Sequence, residues 1–252
     1  MKTQLFLLIF IIILLFSKVS FAQDTPRAKS FIEISGGISN PTGNFASSAL
    51  TNNIQSTYNS TDGYAQLGSH FAINGAWYLT PNFGVGGTLS TSSYSVNANA
   101  LANEIINSFD CDSATASARN YNTISVLVGP YYAIRLGHLT IEARVLAGIT
   151  NTTTPDFIMQ AINLAGGSDP ESISTFVQKS GTATALGLDA GIGIKFALAK
   201  HLGLVLRTDY FYSKPKLSFD NVGRQNNAGR LVTSYNQPIA GVNSTFGVCY
   251  FF

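Results

Sequence analysis

The chain has 252 residues, of which 11% are charged and 45% hydrophobic, and its formal net charge is +2. So little charge in near balance offers no basic surface for nucleic acid. There is no Cys/His zinc spacing, P-loop, dinucleotide fingerprint or G-x-S-x-G either, so no cofactor, metal or catalytic residue is expected.

The first stretch is "MKTQLFLLIFIIILLFSKVSFAQ". Lys2 supplies a basic start. Leu5 to Phe16 is an apolar run too short for a spanning helix, which needs about 20 residues. Small Ser20 and Ala22 flank Phe21. This reads as a secretory signal cleaved after Ala22, which divides the chain into a leader, 1–22, and a mature domain, 23–252. Cleavage removes Lys2 and Lys18 and leaves 13 basic against 13 acidic residues. No later stretch is long and apolar enough for a spanning helix.

The mature domain alternates with period two, the signature of strands. Eight segments follow in order. Ser30–Asn40 sets Ile32, Ile34 and Ile38 against Glu33, Ser35 and Gly37. Tyr64–Leu79 sets Leu67, Phe71, Ile73 and Trp77 against Gln66, His70 and Asn74. Phe83–Tyr94 sets Phe83, Val85 and Leu89 against Gly84, Gly86, Thr88 and Ser90. Tyr121–Leu136 sets Ile124, Val126, Val128, Tyr132 and Ile134 against Thr123, Ser125 and Arg135. Leu139–Asn151 sets Ile141, Val145 and Ile149 against Glu142 and Arg144. Thr182–Leu198 sets Leu188, Ile192, Ile194 and Phe196 against Asp189, Gly191, Gly193 and Lys195. Leu202–Ser213 sets Leu204, Leu206, Tyr210 and Tyr212 against Arg207 and Asp209. Gln237–Phe252 closes the series.

Short connections at Thr80–Asn82, Gly137–His138 and Ala199–His201 alternate with long polar ones at Pro41–Gly63, Ser95–Asn120, Thr152–Gly181 and Lys214–Asn236. The expected fold is all-β: an eight-stranded antiparallel transmembrane barrel, an up-and-down meander with four long extracellular loops and three short periplasmic turns. Within the loops, Leu101, Ile105 and Phe109 have helical spacing. Two further short helices are expected, from Pro155 to Gly166 and from Asp169, an N-cap before Pro170, to Gly181.

The final residues are "NSTFGVCYFF". Thr245, Gly247, Tyr250 and Phe252 fit a polar-x-Gly-x-x-aromatic-x-aromatic pattern. This resembles the C-terminal signal by which bacterial outer-membrane barrels are recognised for assembly. With "ISGGISNPTGNF", "YLTPNFGVGG", "VGPYYAIRLGHLTIEARVLAG" and "TDYFYSKP", the whole mature chain resembles the small eight-stranded outer-membrane barrels of the OmpA-like or porin-family type common in Bacteroidota. The resemblance implies residence in the bacterial outer membrane, contact with its lipid, and handling by the barrel-assembly machinery. No peptidoglycan-binding domain follows Phe252, so cell-wall anchoring is not implied. Trp77, Phe83 and Tyr132 on the turn side, and Tyr210 and Tyr212 toward the loops, are placed to form two aromatic girdles.

Parity turns Glu33, His70, Arg135, Glu142, Arg144, Asp189, Lys195, Arg207 and Asp209 inward. An eight-stranded barrel is just wide enough for side chains to fill it. Glu33, Glu142, Arg144, Asp189, Lys195, Arg207 and Asp209 are therefore expected to pair as a structural network that plugs the lumen. His70 is read as a satisfied lumenal histidine rather than a catalytic base. Cys111 in a loop and Cys249 near the turn end lie too far apart to bridge. The expected function is a non-enzymatic envelope scaffold or surface-interaction protein acting on an unknown partner through its loops. A narrow porin and a lipid-modifying enzyme are the alternatives.

Overall fold

The computed structural model describes residues 27–48, 62–109, 112–163, 172–223 and 231–252. The expected leader, Cys111 and the expected cap Asp169 lie outside them. Among the described residues thirteen strands form: β1 (Phe31–Pro41), β2 (Ala65–Tyr78), β3 (Phe83–Val96), β4 (Ser113–Ala118), β5 (Tyr121–Leu136), β6 (Leu139–Thr153), β7 (Phe157–Asn163), β8 (Ser172–Gln178), β9 (Thr182–Ala197), β10 (Leu202–Ser213), β11 (Lys216–Gly223), β12 (Leu231–Asn236) and β13 (Ile239–Phe251). One α-helix among the described residues, α1 (Ala98–Phe109), follows β3.

Eight strands close into a barrel in the order β1-β13-β10-β9-β6-β5-β3-β2. Each pairs antiparallel with its neighbours along the chain. The last pairs with the first, from Phe31↔Phe251 to Pro41↔Gly241. Closure leaves no free edge in the barrel wall, as a spanning sheet requires.

Side-chain alternation decides which face is which. On β9, Ile192 is 62% exposed while Asp189 is 5% and Lys195 is 1% exposed. The same inversion runs round the barrel: Ile34, Phe71, Val126, Val145 and Leu206 face out, and Glu33, Asn74, Ser125, Arg144 and Arg207 are buried. A water-soluble protein does the reverse. The outward apolar positions of β9 from Leu186 to Phe196 cover about 33 Å of strand. At a tilt of about 40° this is about 25 Å along the axis, the height of a lipid-facing band. The band gives way toward the long loops to polar pairs such as Asn151 Nδ2 donating to Thr184 Oγ1 at 3.1 Å.

The short turns are built from local chemistry. Gly137 has φ +62°, a left-handed conformation that glycine adopts without steric cost. In the first turn Leu79 N–H donates to the Phe83 carbonyl, and Phe83 N–H donates to Thr80 Oγ1.

At the other end, five strands form a second sheet, β12-β11-β8-β7-β4. It is a continuation of the barrel wall. The pair Phe157↔Gln178 keeps the register of Thr153↔Thr182. Ala118↔Phe157 keeps that of Asn122↔Thr153, and Lys216↔Asn236 keeps that of Ser213↔Ile239. The interruption falls where Pro155 has no N–H to give, and is stitched by Thr154 N–H to the Gly181 carbonyl at 2.9 Å.

This corrects the expected loop helices at 155–166 and 169–181, which are strands β7 and β8 among the described residues. "SISTFVQ" is rich in β-branched residues, and the barrel hairpin below presents a register to extend. Pairing therefore overrides the capping pattern. The helical spacing around Leu101 does form α1, with Asn97 Oδ1 accepting from Ala100 N–H at 3.1 Å. Ala100 and Leu101 pack with Tyr64, Phe157 and half-buried Met159, Ala116 and Ala118, which covers one face of the upper sheet.

Candidate functional site

The barrel interior holds its chemistry in layers. Nearest the short turns, Phe31, Tyr78, Tyr131, Cys249 and Phe251 are buried. Phe31 and Tyr131 meet edge to face with ring centroids 6.1 Å apart. Cys249 is a free thiol.

Above them lies a balanced quartet. Lys195 Nζ lies 2.7 Å from Glu142 Oε2 and 3.6 Å from Glu33 Oε2. It also sits over the Phe31 ring. Arg207 Nη2 lies 2.8 Å from Glu33 Oε2 and also binds Glu142 Oε1. Tyr78 donates its hydroxyl to Glu142 at 3.3 Å. All four charged groups are at most 1% exposed at the side chain.

The next layer is centred on Arg144. Its Nε lies 2.9 Å from Asp209 Oδ1 and 3.4 Å from Asp189 Oδ1. Its Nη1 donates to Tyr131 Oη at 3.1 Å and to Asn74 Oδ1 at 2.7 Å. Asn74 Nδ2 in turn donates to Glu33 Oε1 at 2.9 Å. One amide thus joins the two layers, using its carbonyl toward Arg144 and its NH₂ toward Glu33.

Toward the long loops the lumen becomes apolar at Leu127, Leu146 and Phe211. It then turns hydroxyl-rich: His70 Nδ1 and Ser92 Oγ are 2.7 Å apart, Ser39 bridges Tyr94 and Asn243, and Ser125 meets Thr150 at 3.0 Å. Phe45, carried by a 3₁₀ turn at Gly43–Phe45, stops the mouth. Its ring packs edge to face on Tyr94 and Tyr121, at 4.9 and 5.2 Å. Glycines make room for the charged groups: a Cβ at Gly191 would collide with the Asp209 carboxylate.

Glu33, Glu142, Arg144, Asp189, Lys195, Arg207 and Asp209 are therefore brought into mutual reach inside the barrel. Arg135 is not. It is half-buried at the short-turn rim, with Nε donating to the Gly137 carbonyl at 3.1 Å, so three cations face four carboxylates. Gln66 is exposed, because the register shifts between Ala65 and Gly68. Asn74, Tyr78 and Tyr131, none of them expected as site residues, complete the network. Their parity was the available signal, since each lies an even number of residues from a charged or polar inward position.

At the C-terminal strand, Thr245 is buried inward, and Tyr250 and Phe252 are exposed outward. A Cβ at Gly247 would meet the Ile34 carbonyl and Ser35. Tyr250 stacks on His201 with centroids 5.5 Å apart and contacts Phe252 edge on.

A closed antiparallel eight-stranded meander, apolar outside and ionic inside, is the architecture of the small outer-membrane β-barrels. Known structures to which the chain is similar include three outer-membrane proteins. OprG of Pseudomonas aeruginosa superposes with a TM-score of 0.47 at 12% identity, over 90% of this chain and 98% of that one. A major outer membrane protein of Thermus thermophilus gives 0.46 at 14% identity, over 90% and 100%. The attachment invasion locus protein Ail of Yersinia pestis gives 0.43 at 14%, over 89% and 100%. No family model and no curated protein sequence matches the chain.

Proposed function

We propose that this chain is a non-enzymatic integral protein of the bacterial outer membrane, of the OmpA-like or porin-family type, made with a leader that is removed after Ala22. In this reading the three short turns face the periplasm and the long loops face outward. Thr245, Gly247, Tyr250 and Phe252 are the residues read by the assembly machinery. The barrel serves as a rigid scaffold, and the sheet that rises from it, with α1 against one face, is the surface offered to an envelope or extracellular partner.

The observation that carries the reading is the ion-paired lumen under an apolar exterior. A network with every charge within reach of an opposite one fills the cross-section that a porin leaves open. Phe45 adds a hydrophobic stopper above it. The enzymatic alternative has less support, because His70 and Ser92 point into the lumen and away from the lipid face where an acyl chain would be presented.

The test is single-channel recording of the purified protein in planar bilayers, together with gel migration before and after heating. A folded, heat-modifiable barrel that inserts without conductance steps is expected. Regular conductance steps would replace the scaffold with a narrow porin.

A further inference from the structure

Among the described residues, the charged side chains of the short-turn rim are all basic. Arg27, Lys29, Arg135 and Lys200 lie there, with His138 and His201 beside them. No aspartate or glutamate among the described residues accompanies them on the rim surface; Glu33 and Glu142 are sealed inside. The long-loop end is mixed, with Asp62, Asp112 and Asp156 beside Arg119, Lys179, Lys214 and Lys216.

The rim cations are tied to strand ends. Arg27 Nη2 donates to the Tyr78 carbonyl at 3.0 Å and the Leu79 carbonyl at 3.4 Å. Lys29 Nζ donates to the Lys200 carbonyl at 2.7 Å. A guanidinium has five N–H donors and an ammonium three, so these contacts hold the groups in place without consuming them. Two rim histidines rest on the aromatics of the apolar exterior: His201 stacks on Tyr250, and His138 lies against Phe196 with centroids 6.5 Å apart. Basic groups thus begin where the apolar band ends.

We infer that this rim binds anionic phospholipid headgroups, with Arg27 and Lys200 as its principal contacts and the neighbouring basic side chains adding to the field. The inference rests on the membrane reading above. Cations at the edge of an apolar band stand at headgroup depth, and each contributes attraction to an anionic surface worth about fivefold in local lipid concentration. A solvated acidic protein would not require the basic rings to lie against lipid-facing aromatics.

The chain supplies its own probe. Its one tryptophan is Trp77, exposed on the outer face next to the Tyr78 carbonyl that Arg27 binds. The folded protein is reconstituted in vesicles of phosphatidylcholine and phosphatidylglycerol in equal amounts, with bromine on the acyl chains of one lipid or the other. Brominated phosphatidylglycerol is expected to quench Trp77 as though enriched several-fold. Roughly 1 M salt, where the Debye length is about 3 Å, and the R27Q/K200Q double variant are each expected to bring the two lipids toward parity. Heat-modifiable migration checks that the variant is folded; if it is not, the salt series on the unaltered protein decides. Equal quenching at low salt would overturn the inference and leave the membrane reading intact. So would a preference indifferent to salt, or one abolished by millimolar inorganic phosphate, which would assign the rim to a soluble anion. Absence of quenching by either lipid would overturn both.

Discussion

Arg207 reaches both lumenal glutamates, so its loss strands two carboxylates that are fully buried in the barrel. Arg207→Met is expected to cost about 3–5 kcal/mol, the range for breaking a buried pair, in urea unfolding followed by Trp77 fluorescence in vesicles. The two aspartates beside Arg144 should behave differently. Asp209 makes a direct hydrogen bond to Nε at 2.9 Å, whereas Asp189 Oδ1 stands at 3.4 Å without one. With four carboxylates against three cations, Asp189→Asn removes the surplus negative charge, and its unfolding midpoint should stay level or rise. Asp209→Asn should lower it. Equal losses in both would argue that the charge count does not govern the layer. Gly191→Ala should also destabilise, by about 1–3 kcal/mol for overpacking, because the new methyl meets the Asp209 carboxylate. The charged members of this layer were readable from strand parity alone. The neutral linker Asn74 and the two tyrosines were not, because a polar side chain facing inward does not reveal which partner it will meet. Arg135 misled for a related reason: parity sets the direction of a side chain, while its height in the barrel decides whether it reaches the network or the rim.

At the scale of elements, the eight barrel strands were legible because each carries its own alternation and because tight turns punctuate them. The upper sheet was hidden. Its strands β7 and β8 sit between a proline and glycines that also fit helix ends, and only their in-register continuation of β6 and β9 makes them strands. That continuity has a consequence for engineering. The barrel hairpin is complete at Thr153↔Thr182, below the break at Pro155. Replacing residues 154–181 with a two-residue Asn-Gly turn should therefore leave a folded, heat-modifiable barrel. Loss of folding in that variant would mean that the upper sheet nucleates the wall. The turn at Gly137 is the opposite case: its left-handed backbone is required, and Gly137→Val should cost about 1–2 kcal/mol in the same urea assay.

For the whole molecule, the exterior and interior have exchanged the roles they play in a soluble domain. Apolar side chains are exposed around the full circumference, and ionic ones are enclosed along the axis. In the proposed membrane setting lipid supplies the hydrophobic burial, while the internal stability comes from the closed ladder, the ion pairs and the aromatic stoppers at each end. The orientation is most directly tested by spin labels placed one at a time by cysteine substitution at Leu186, Leu188, Ile192, Ile194 and Phe196 on β9, with the barrel in vesicles and Cys111 and Cys249 replaced. Collision with molecular oxygen should rise and collision with a water-soluble nickel chelate should fall toward the middle of the series, with the extreme near Ile192. A series that reports chelate access throughout, or immobilisation in a packed protein interior, would contradict the account.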